Sequence, residues 1–147
     1  MCIRDREIQD LYLAREAVEG FAAKLLAGAL SQEQAQNIEA AVRSEMRLNS
    51  IHKEEHFHAN RNIHRTIVAQ AGNGILLDMF DSIWNRGISI RSFSAYRIPD
   101  RADNREQHLE LLDQLKLGSM VEAESAMVAH IRKGLHNHVR WLHDERH

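Results

Sequence analysis

Ten histidines in a chain of 147 residues are the first chemical signal. Imidazole is the commonest protein metal ligand and the side chain that titrates nearest neutrality. The ten are scattered from His52 to His147, so no affinity tag accounts for them. Three interrupt apolar stripes on three separate segments. At about 100° per residue, the turn of an α-helix, Phe57, Asn60, His64, Ile67, Val68 and Ala71 share one stripe. His108 shares a face with Leu111, Leu112 and Leu115, and His130 shares one with Ala123, Ala126, Met127, Gly134 and Trp141. A buried neutral imidazole needs a partner for each ring nitrogen. Two readings follow. Each histidine is a satisfied core residue on its own, or all three share one divalent metal. Asn60 precedes His64 by one turn, projects beside it, and is the candidate fourth ligand through oxygen. His56 borders the same stripe and is a candidate support for a ligand rather than a ligand itself, and His138 flanks the inner face of the last helix. His58, His136, His143 and His147 read as surface residues.

A second anomaly lies near the start of the chain. Arg15 falls on an inner face between Leu11, Val18 and Ala22, with Glu19 one turn on. Such a pair is either an ordinary i,i+4 ion pair or an inward guanidinium able to grip a carboxylate bidentately. Arg91 is a weaker candidate for the same task.

The elements that must position these groups read as helices almost throughout. One is expected from about Arg6 to Ala29, with Leu11, Val18, Ala22 and Leu25 on one face. Ser31 with Gln34 forms a capping box for a second, which reaches about Asn49 with Ile38, Val42 and Met46 inward. A third spans about Lys53 to Ala71 and stops at Gly72-Asn73, both suited to a left-handed cap. A fourth runs from Gly74 to about Arg97, and Pro99 closes it. Ile98 to Asp103 reads as a long loop, Asp103 or Asn104 as the cap of a fifth helix ending at Gly118, and Ser119 as the start of a sixth reaching His143. The expected fold is an all-α antiparallel bundle of about six helices.

Composition removes several classes. One proline and seven glycines are too few for an all-β chain. The single cysteine, Cys2, excludes an internal disulfide framework and a multi-cysteine metal cluster. Nineteen basic against 21 acidic residues predict no strongly basic nucleic-acid surface. No apolar run approaches the ~20 residues of a membrane helix, and charged residues from Arg4 to Glu7 stand where a secretory leader would be apolar. A cytoplasmic protein without a membrane partner is expected.

Several runs resemble one known family. Leu11-Tyr12-Leu13-Ala14-Arg15-Glu16-Ala17-Val18-Glu19, Asn60-Arg61-Asn62-Ile63-His64 ahead of Ala71-Gly72-Asn73, and Glu106-Gln107-His108 followed by His130 lie in matching order and spacing. They resemble the C-terminal effector-binding (FCD) domain of FadR-type regulators in the GntR family of bacterial transcription factors. The likeness runs from about Glu7 to Trp141, which leaves residues 1–6 as a non-native or disordered lead and 7–147 as the domain. It implies a homodimeric helical bundle that binds a small carboxylate effector, often beside zinc or nickel. His64, His108 and His130 match the family's metal histidines, Arg15 matches its ligand-facing arginine, and Asn60 stands where an aspartate is usual. The family's N-terminal winged helix-turn-helix is not expected within this chain, so DNA would be reached only through a missing domain. The competing functional readings are a metal-dependent hydrolase built on the three histidines and a metal-free helical dimerisation module.

Overall fold

Chain reversals are set by short capping signals. In the computed structural model Ser31 Oγ accepts from the Gln34 amide while Gln34 Oε1 accepts from the Ser31 amide, the reciprocal box the sequence predicts. Asn73 caps the next reversal by accepting from the amides of Ile75 and Leu76. Gly72, at φ +76°, takes the left-handed position that a side chain would resist. Ser119 and Glu122 form a second reciprocal box. Each satisfies helix-end amides that would otherwise lose their hydrogen bonds.

The structure describes residues 3–86 and 98–144, and the side chains of 5–86 and 102–140. Six helices make up the all-α bundle among them. These are α1 (Ile3–Ala27), α2 (Gln32–Arg47), α3 (Lys53–Gln70), α4 (Gly74–Trp84), α5 (Ile98–Leu117) and α6 (Met120–Asp144). Helix α1 is central, packing along α6 and also against α3, α4 and α5. The α1–α6 approach is close at Gly20, where a Cβ would lie 3.1 Å from Val128 Cγ2. None of the described helices is long and apolar enough to cross a membrane.

Four expectations need correction. The segment from Ile98 to Asp103 is the opening of α5, not a loop. Pro99 sits in the first turn, where its missing N–H costs no intrahelical bond. Helix α4 ends at Trp84, short of the predicted Arg97, and residues 87–97 lie outside the described set. On α2, Met46 is 45% exposed and Glu45 is buried, because the inner face follows Ile38, Ala41, Val42 and Glu45. On α1, Leu26 carries the buried stripe where Leu25 was expected.

The apolar core falls into two clusters. Ile38, Val42, Ile63, Ile67, Leu111, Leu115, Met127 and Ile131 belong to the larger. Val18, Ala22, Phe57, Val68, Phe80 and Trp84 form the smaller, between α1, α3 and α4.

Candidate metal centre

The same stripes that build the core carry buried polar groups. Arg15, Glu19, Glu45, Asn60, His64 and His108 are each under a tenth exposed. Helix α3 supplies Asn60 and His64, α5 supplies His108, and α6 supplies His130. The three imidazoles converge, as the shared-site reading of the sequence requires. One ring nitrogen from each lies within 4.8 Å of the others, and the ring centroids are 4.9–5.3 Å apart.

Each ring is held by its outer nitrogen. Nδ1 of His64 lies 2.5 Å from Glu19 Oε1, Nδ1 of His108 2.7 Å from Glu45 Oε1, and Nδ1 of His130 2.7 Å from Gln107 Oε1. A carboxylate or amide oxygen only accepts, so each Nδ1 carries the proton. Nε2 is what each ring has left to offer. His64 Nε2 and His130 Nε2 face each other at 3.2 Å, and His108 Nε2 is buried with no hydrogen-bond partner. Burial, opposed by Glu19, lowers the pKa of His64. Burial and the neighbouring His108 and His64 lower that of His130 well below the usual range. Neutral rings in this tautomer point lone pairs at one another, an arrangement that a shared cation resolves. Ligand nitrogens about 2.0–2.1 Å from a tetrahedral ion stand roughly 3.3 Å apart, which the His64–His130 separation approaches. The donor set therefore fits a divalent metal.

Glu19 joins this cluster to Arg15. Its Oε2 accepts from Arg15 Nε at 2.8 Å and from Trp84 Nε1 at 3.2 Å, while Oε1 serves His64. The Arg15 guanidinium also lies 4.3 Å from the Trp84 ring centroid and 5.1 Å from that of Tyr12. Burial alone would raise the pKa of Glu19, but Arg15 and then His64 outweigh it and hold the carboxyl at about 2. Glu19 is thus ionised inside the bundle.

Asn60 is buried one turn from His64, and its Oδ1 accepts from Asn104 Nδ2 at 3.3 Å. Arg91 lies outside the described residues. His56 is buried, and its Nε2 lies 2.8 Å from the Ser50 carbonyl oxygen. His138 is buried, and His58 and His136 are exposed. Beside His130, a groove of about 390 Å³ opens between α5 and α6, lined also by Gln107, Glu110, Leu111, Gln114 and Lys133.

Two supporting residues escaped the sequence reading. Glu45 was hidden because α2's face was phased through Met46; an acid continuing the spacing Ile38, Ala41, Val42 was the available signal. Gln107 is adjacent to His108 in sequence and points to a different helix.

The fold is an all-α bundle that carries a cluster of polar side chains in its interior. A family model for the FCD domain matches residues 10–133, and the chain belongs to that family. The FCD domain is the effector-binding domain of regulators in the GntR family. A comparison with curated proteins gives no match.

Proposed function

We propose that this domain senses a small carboxylate metabolite beside a divalent metal held by His64, His108 and His130. The convergence of three ring nitrogens whose opposite nitrogens are already tied to acceptors carries this reading. Zinc or nickel suits three imidazoles. Asn60 would add a neutral oxygen donor, and the bound ion would give an effector carboxylate a Lewis-acid anchor. Arg15, and Arg91 beyond the described residues, would take the rest of the effector's charge. Arg15 is stacked on Trp84 and tied through Glu19 to His64, so occupation of one end bears on the other. In an intact homodimeric, cytoplasmic regulator, effector binding would bias the arrangement of a DNA-binding domain.

A hydrolase reading is less favoured. Glu19 and Glu45, the carboxylates beside the histidines, already accept from His64, His108, Arg15 and Trp84, which leaves neither as a free general base.

Elemental analysis of protein purified without chelator tests the metal, with about one zinc or nickel per chain expected. Calorimetric titration with a panel of hydroxy acids and dicarboxylates tests the effector. Binding should disappear in Arg15→Ala and after chelation. Carboxylate binding by Arg15→Ala equal to that of the parent would remove Arg15 from the site.

A further inference from the structure

Two buried carboxylates remain that effector binding does not itself require. Glu19 on α1 is fully buried, and Glu45 on α2 is 4% exposed. They approach the histidine cluster from different helices, and each ends on the outer nitrogen of one ring. Glu19 has a counter-charge in Arg15. Among the described residues, the side chain within ion-pair reach of Glu45 is His108.

That pair is incomplete on its own. His108 gives Nδ1 to Glu45 Oε1, and its Nε2 is buried with no hydrogen-bond partner. A cation on Nε2 would complete the pair. The geometry points to Glu45 and Glu19 as positioning residues of the metal centre, which fix His108 and His64 through Nδ1 and supply the negative charge that three imidazoles and Asn60 lack. This inference rests on the reading of the three histidines as ligands. It divides the centre into two anchored rings and a third, His130, which is partly exposed, bordered by the groove and supported by the neutral Gln107. Outer-shell acceptors of this kind orient ligand rings and raise their basicity.

The test separates charge from shape. Glu45→Gln keeps the volume and an oxygen that accepts from Nδ1–H, and removes only the charge. Zinc affinity, measured by competition against a chromophoric chelator, should fall by about tenfold or more. The metal-free melting temperature should be unchanged or higher, which a merely structural role for Glu45 would not produce. Equal zinc affinity in Glu45→Gln and parent overturns this inference alone. A parent that binds no zinc overturns it together with the metal reading above. A second measurement needs no variant. Imidazole nitrogen NMR of the zinc-loaded parent should show protonated Nδ1 and zinc-shifted Nε2 for His64 and His108. Zinc on Nδ1 of either ring overturns the assignment.

Discussion

The bundle interior contains two regions with different physics on the same helices. On α3, Ile63 and Ile67 pack in the apolar core, while Asn60 and His64 on the same buried side face the polar chamber. On α5, Leu111, Leu112 and Leu115 follow His108; on α6, Met127 and Ile131 flank His130. Apolar contacts are non-directional, so each core residue stabilises the fold in approximate independence of its neighbours' chemistry. The chamber is conditional. Arg15 is tolerable because Glu19 is charged, and Glu19 because Arg15, His64 and Trp84 donate to it. One region is built from additive terms, and the other is a closed network in which removing a member exposes the rest.

The largest break in that contrast should come from Glu19→Ala. It leaves Arg15 as a buried charge without its carboxylate, for which a loss of about 3–5 kcal/mol is expected in urea unfolding. A loss below about 1 kcal/mol would mean that the other contacts of Arg15 hold it without Glu19. Next in size is zinc itself. At a free concentration about 100-fold above Kd it should stabilise the parent by roughly 2.7 kcal/mol, read as a rise in melting temperature that chelator reverses. His130→Ala should lose most of that rise.

Asn60→Asp sharpens the comparison from within the chamber. An oxygen at this position still accepts from Asn104 and now carries a full charge beside the ion. Zinc affinity should tighten by at least about tenfold, or roughly 1.4 kcal/mol, while the metal-free protein becomes less stable. Equal affinity in the two proteins would mean that residue 60 does not touch the ion. Ile67→Val supplies the control from the apolar region. It should cost about 0.5–1.5 kcal/mol and leave zinc affinity unaltered. Altered metal binding there would mean that the two regions are mechanically linked.

The gentlest probe is a proton. His64 and His130 are held below the ordinary imidazole range, chiefly by burial, so the folded chain refuses protons that the unfolded chain accepts below about pH 6.5. The metal-free protein should hold its full stability above that pH and lose it progressively below. Glu19 has the ordinary acid sign: its contribution is complete above its unfolded value of 4.5 and is lost as pH falls towards 2. Melts between pH 8 and 5 that show no slope would remove the neutral buried histidines.

Much of this protein is legible in its one-dimensional pattern. Helices and caps follow from local rules: the spacing of apolar residues, Ser31 with Gln34, and Gly72-Asn73 each act within one turn of chain. The inward placement of His64, His108, His130 and Arg15 was readable for the same reason, since each lies on a stripe whose other members are mostly apolar. Boundaries were less so. Pro99 stops a helix behind it and is equally at home opening one, and only the packed chain decides which. Periodicity states which face a residue occupies, not what faces it across the interior. That Glu19 reaches His64 across 45 residues, Glu45 reaches His108 across 63, and His64 meets His130 across 66 was decided by the tertiary structure alone. Hydrogen bonds are directional and short-ranged, so these partners exist only once α1, α2, α3, α5 and α6 have docked in one register.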